Sequence, residues 1–252
     1  MDVLLLIAVR LFGFTLQMPV LSTRGIPRTA KVGFILFTSM IIFSSQIVVD
    51  VEYVNSFFGF GAAIFKEFTV GYLLGFSIYF FFTTFYMAGQ FIDYQIGFSM
   101  VSVMDPTTNI QIPVTGNVLY LGATAIFVVT GAFHVVLDAI MESYTLLPIG
   151  TANILSNENI TVHLLDIVYS FFELSMLIAI PIVGTVILID IAMGLLVKTV
   201  PQMNVFVVGA PIKLIVGLLL FSFILPNLDY VFDHIFDLMM DSFEILLHDL
   251  GT

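Results

Sequence analysis

The sequence predicts an all-α integral membrane protein, and three observations carry that expectation. Hydrophobic residues make up 60% of the 252 and charged residues 10%, whereas a soluble domain carries about a quarter charged residues. The mean hydropathy is +1.11. Apolar runs recur along the chain near or above the ~20 residues that a membrane-crossing helix needs. They are apolar on every side, whereas the strands of a membrane barrel would alternate. Too few charges remain to coat a water-facing surface, so lipid or partner subunits must solvate most of the chain.

Six candidate spans follow in order. Residues 3–21 form the first, interrupted by Arg10, and the charge-free run 32–49 the second. The third is 68–92, 25 residues without a charge. The fourth is 114–137, with His134 near its end, and the fifth is 164–197, carrying Glu173, Pro181 and Asp190. The sixth is 205–228, with Pro211 and Lys213 near its start. As one helix the fifth would reach roughly 51 Å at 1.5 Å per residue, against a hydrocarbon core of about 30 Å. It is expected to kink at Pro181, or to leave the bilayer inside a larger assembly. Arg24, Arg28 and Lys31 sit in an acid-free loop, and Lys198 and Lys213 flank the loop before span six. Basic loops favour the cytoplasm, which would put both termini outside.

Composition also excludes functions. There is no cysteine, so disulfides and thiol chemistry are out. The four histidines are scattered and match no metal-ligand spacing. A net charge of −11 argues against a nucleic-acid partner. The N-terminus lacks the basic region of a signal peptide, and Arg10 interrupts its apolar stretch.

Several residues stand out from the apolar background. Arg10, inside an apolar helix, must face protein, water or a carboxylate, as a snorkelling residue, a structural ion pair or a functional group. Gln90, Asp93 and Gln95 form a polar knot, either an ion site or a pin between helices. Asp190 precedes Lys198 by two turns, and structural pairing with another chain is expected over a proton relay. Gly71 and Gly75 form a G-x-x-x-G that lets two helix backbones approach closely. Met100 and Met104 lead into Asp105, Pro106, Thr107, Thr108, Asn109, Ile110, Gln111, Ile112 and Pro113. The two prolines bar a regular helix there. Such backbone is tolerated at membrane depth only where it is buried in protein or lines a cavity, so an ordinary connecting loop and a pore-lining segment both stay open.

The tail carries the clearest period. Asp229, Asp233, Asp237 and Asp241 recur every four residues, followed by Glu244 and Asp249. Phe232, Ile235, Phe236, Met239 and Phe243 interleave with them, giving an amphipathic helix with one acidic stripe. The apolar side is expected to pack on protein or lipid, and the stripe to face water or a basic partner.

Certain strings carry a resemblance. Arg10-Leu11-Phe12-Gly13, Met18-Pro19-Val20-Leu21-Ser22 and Gly25-Ile26-Pro27-Arg28 stand early in the chain, followed by Glu67-Phe68-Thr69-Val70-Gly71-Tyr72-Leu73-Leu74-Gly75. Ala88-Gly89-Gln90-Phe91-Ile92-Asp93-Tyr94-Gln95-Ile96-Gly97 leads into Met104-Asp105-Pro106. Gly131-Ala132-Phe133-His134, Ser143-Tyr144, Pro148-Ile149-Gly150 and Pro201-Gln202-Met203-Asn204-Val205-Phe206 complete the set. In this order and spacing they resemble the FliR family of flagellar biosynthesis proteins, with its SctT-type relatives in virulence secretion. The likeness spans roughly residues 5–225.

The resemblance implies helical hairpins that assemble into a hetero-oligomeric export gate in the inner membrane, within the flagellar basal body. The implied partners are FliP-like and FliQ-like subunits, an FlhB-like switch protein, membrane lipid and unfolded flagellar export substrates in transit. Residues 1–227 would then be one FliR-like membrane domain and 228–252 an acidic amphipathic C-terminal helix. The family's pore-plugging loop corresponds to residues 105–117. No cofactor, metal or catalytic residue is implied, and no hydrolase or protease motif is found. The competing reading is an ion-coupled small-molecule transporter using Asp93 and Asp190, although the inverted repeats usual in such proteins are not evident.

Overall fold

The computed structural model describes residues 2–22, 25–45, 56–98, 113–154, 157–200, 202 and 204–251, and their regular elements are all helices. Helix α1 (Asp2–Gln17) is followed by the single turn α2 (Pro19–Ser22). α3 covers Arg28–Ser44 and α4 covers Phe57–Ile96. α5 (Val114–Val129) and α6 (Ala132–Leu146) follow, then α7 (Glu158–Thr199), α8 (Val205–Ile224) and α9 (Leu228–Gly251).

Local chemistry sets the ends. Pro19 opens α2 and Pro27 stands immediately before α3, the places where a missing N–H costs least. α4 stops at Gly97, whose φ of 94° only glycine adopts freely. The N–H groups of Gly97 and Phe98 both close on the carbonyl of Asp93, a left-handed C-terminal cap. Gly131, at φ 80°, separates α5 from α6, and the two helices bend by 73° at this break.

These ends change the expected spans. Residues 3–21 fold as two pieces, the longer of 16 residues, and α3 has 17. The third span begins eleven residues early, inside a 40-residue helix. The fourth is broken at Gly131. α7 is one helix of 42 residues that runs through Pro181, longer than the 164–197 expected. Among the described residues three helical stretches are long and apolar enough to cross a membrane, Phe57–Ile96, Asn159–Thr199 and Val207–Gly251, and a fourth if α5 and α6 count as one bent span.

The chain forms two compact units. The first contains residues 1–81, 127–169 and 236–252. Leu6, Ile7, Phe14, Leu74, Ile140 and Leu246 are fully buried in it. The last turns of α9 belong to this core, because Phe243, Leu247 and Leu250 are also buried. The end of α9 is tied down as well. The backbone N–H of Asn153 donates to the Leu250 carbonyl at 3.1 Å, and Asn157 Nδ2 to that of Asp249 at 2.7 Å. These bonds satisfy carbonyls that a helix C-terminus leaves open.

The second unit contains residues 82–126 and 170–235. Ile92, Leu119, Ala123, Ile182 and Val186 are fully buried there, and Phe232 stacks on Phe85 with centroids 6.3 Å apart. Along α9 the acids Asp229, Asp233, Asp237 and Asp241 are exposed, Phe232, Ile235, Met239 and Phe243 are buried, and Phe236 is half-buried.

In the first unit α1 crosses α4 at backbone contact. A Cβ on Gly71 would overlap the carbonyl oxygen of Arg10, and one on Gly75 would fall 2.7 Å from that of Phe14. From the other side, a Cβ on Gly13 would lie 2.5 Å from the Phe68 carbonyl oxygen. Small residues are what allow this approach. Replacing Gly71 with Leu forces the backbones apart and is expected to cost at least 1–3 kcal/mol, as overpacking does. A lowered thermal midpoint and reduced yield of purified protein are the expected readouts, and an unchanged midpoint would contradict the crossing.

Candidate functional site

Three polar clusters are set into this apolar framework. The first centres on Arg10, which α1 carries into a fully buried position. Its Nε donates to Glu67 Oε2 at 2.6 Å, and both side chains have no exposure. Nη1 and Nη2 donate to the carbonyls of Ser143 and Leu147, each at 3.0 Å. The guanidinium also lies 4.4 Å from the centre of the Tyr144 ring, within cation–π range. Tyr144 donates its hydroxyl to the Ile7 carbonyl at 3.0 Å, and Glu67 Oε1 accepts the N–H of Gly150 at 2.9 Å. Lys66 donates to the Gly150 carbonyl at 3.1 Å.

Four strings of the resemblance thus meet at one point: those at Arg10, at Glu67, at Ser143-Tyr144 and at Pro148-Ile149-Gly150. Arg10 does not snorkel. It is the hub of a saturated network joining α1, α4, the end of α6 and the turn after it. Among the described residues no buried side-chain nitrogen or oxygen lacks a partner, the condition under which a buried charge pair is tolerated.

The second cluster is a clasp in the other unit. Asp93, 4% exposed near the end of α4, accepts the backbone N–H of Thr115 at 3.0 Å through Oδ2 and the Thr115 hydroxyl through Oδ1. An acidic group on the first turn of α5 matches both the open N–H groups there and the helix dipole. The contact is close because Gly89 faces Gly116. A Cβ on Gly89 would overlap the Gly116 backbone, and one on Gly116 would sit 2.6 Å from the Tyr86 carbonyl oxygen. Asp93 thus pins two helices, and Gln90 is not part of the clasp.

The third cluster joins three helices of the same unit. Asp190 on α7 pairs with Lys213 on α8 through Oδ1 and accepts Gln95 Nε2 of α4 at 3.2 Å through Oδ2. Within the chain its partner is Lys213. The pair keeps 25% and 40% side-chain exposure.

Of the remaining predicted residues, Pro113 stands immediately before α5. Met100, Met104, Asp105, Pro106, Thr107, Thr108, Asn109, Ile110, Gln111 and Ile112 lie outside the described residues. The pairing roles of Glu67, Tyr144 and Thr115 were not assigned from the sequence. Glu67 had a signal, as the acid at the edge of a 25-residue uncharged run. Thr115 had none, because a threonine that bonds a carboxylate 22 residues away looks like any loop residue.

Arg10→Met would leave the Glu67 carboxylate buried without its cation. The expected loss is about 3–5 kcal/mol, the usual result of removing half of a buried pair. Combining it with Glu67→Leu should cost less than the two single losses added together. A double-mutant cycle on thermal or denaturant unfolding measures this, and strict additivity would contradict the network.

Comparison with known proteins gives a consistent result. The family model described as bacterial export proteins, family 1, matches residues 1–239. The match extends past residue 225 into the acidic helix, farther than the sequence motifs reach. The flagellar biosynthetic protein FliR of Bacillus subtilis is 30% identical over 254 residues, covering 98% of this chain and 95% of that relative. FliR of Escherichia coli is 28% identical over 227 residues, 88% of this chain and 85% of its own. The surface presentation of antigens protein SpaR of Shigella flexneri is 28% identical over 150 residues, 60% of this chain and 57% of its own.

Proposed function

The chain belongs to the bacterial export proteins of family 1, and on that premise we propose that it is a subunit of the flagellar type III export gate, forming part of the channel for unfolded substrate proteins. The observation that carries this reading is the match over residues 1–239, with FliR relatives covering nearly the whole chain. The relatives favour it over the ion-coupled transporter.

Physical features support a subunit that depends on others. The most apolar window of Phe57–Ile96 is 56% buried inside the chain, but those of Asn159–Thr199 and Val207–Gly251 are only 22% and 17% buried. Apolar surface left open on this scale needs other subunits or lipid to cover it. FliP-like and FliQ-like subunits would cover the helices, with an FlhB-like switch protein beside them. The assembly would sit in the bacterial inner membrane, within the flagellar basal body, and pass unfolded flagellar export substrates.

The plug assignment of residues 105–117, with Met100 and Met104 before them, is part of the same proposal, although Val114–Asn117 are helical as the first turn of α5. Its support is that the flanking helices are joined by the Asp93–Thr115 clasp, so a segment leaving α4 must return to the same place. Uncharged polar and aliphatic residues there suit a seal that opens, since they avoid the several kcal/mol of breaking a buried ion pair.

Deleting the gene for this chain in its own host should abolish swimming and secretion of filament protein, and normal secretion would overturn the proposal. Deleting residues 107–112 alone should raise small-ion leakage through membranes holding the assembled complex. Assembly with no added leakage would rule this segment out as the principal barrier.

A further inference from the structure

Helix α3 has an unusual combination of features. Its own chain covers only a narrow stripe, Ile35, Ser39 and Ile42, one residue per turn, where α1 packs on it. Phe34 and Thr38 beside that stripe are half-buried, and the far side is open: Phe37 and Met40 are 68% and 62% exposed, and Val32, Leu36, Ile41 and Phe43 are exposed as well. Between Val32 and Phe43 no polar side chain is exposed. The first turn differs. It carries Arg28, which is exposed, and Lys31, which is half-buried, two of the seven Lys and Arg residues in a chain of net charge −11.

We propose that α3 is a lipid-contacting helix that holds anionic phospholipid headgroups at Arg28 and Lys31, with acyl chains along Val32, Leu36, Phe37, Met40 and Phe43. This rests on the reading of the chain as a membrane export subunit, and it adds the place and the headgroup class. Charge complementarity selects the occupant. A predominantly acidic protein concentrates cation at one end of an open apolar helix, where a phosphate layer would lie. The dimensions agree. At 1.5 Å per residue, Phe37 and Phe43 lie roughly 9 and 18 Å along the axis from Lys31, within a hydrocarbon core of about 30 Å. A partner protein is the less favoured occupant, because between Val32 and Phe43 no polar side chain is exposed for it to recognise.

The absence of cysteine makes a site-specific test direct. A Met40→Cys variant of the full chain, in its purified complex, is labelled with a fluorophore and placed in vesicles of phosphatidylcholine and phosphatidylglycerol. Each lipid in turn carries bromines on its acyl chains as the quencher. Quenching should favour phosphatidylglycerol by roughly thirty-fold at low salt, as expected for two cations near the surface, and the preference should fall as salt is added. Adding Arg28→Gln and Lys31→Gln should remove the preference and keep the quenching, since the helix still faces lipid. No quenching by either lipid would mean that protein covers α3, and equal quenching by both would mean no headgroup selection. Either result overturns the proposal. If the double variant fails to assemble, the parent comparison of the two lipids still decides. The export role has its own readout, secretion in the deleted host, so the two readings can fail separately.

Discussion

The buried Arg10–Glu67 pair is the constraint on which the first unit depends. Neither charge reaches solvent, and an unpaired charge in that position would cost several kcal/mol. Each added hydrogen bond therefore recruits a different stretch of chain: the end of α6 through the Ser143 carbonyl, and the turn after it through Leu147 and Gly150. Apolar packing alone is non-directional and would leave α1 free to rotate or slide along α4. The fork of the guanidinium fixes angle and register together. The glycine crossing beside it fixes distance, since Gly71 admits the Arg10 carbonyl into van der Waals contact.

The second unit solves a similar problem with a single charge. Asp93 is held by the hydroxyl and N–H of Thr115 at a helix start. The Asp190–Lys213 pair is more open and joins α7 to α8, with Gln95 of α4 attached. In both units charges sit where helices meet, while uninterrupted apolar runs such as 68–92 carry none. Polar groups specify which helices meet, and apolar groups supply the burial.

Much of this was legible in the sequence. Helix identity followed from run length and the lack of alternation, and the acid spacing at 229, 233, 237 and 241 gave the exposed stripe of α9 directly. Helix ends were less legible. Residues 3–21 read as one span because average hydropathy does not register that Pro19 starts a new turn. The fifth run, read over 164–197, is part of a 42-residue helix that continues through Pro181, where one missing N–H does not end it. The side-chain partners were least legible. Arg10 announced that it needed a partner, but nothing local pointed to Glu67 or to two carbonyls more than 130 residues away. Such pairings are tertiary facts without periodicity.

The first unit is assembled from both ends of the chain and the middle, residues 1–81, 127–169 and 236–252. That arrangement sets a timetable for synthesis. At ~5–20 residues per second, α1 leaves the ribosome roughly 7–30 s before residue 147 supplies the last acceptor for Arg10. Through that interval the arginine is a charge on an apolar helix without its full set of acceptors. The nascent chain must therefore keep α1 near water or in the care of the insertion machinery. Only when α9 has emerged can this core close.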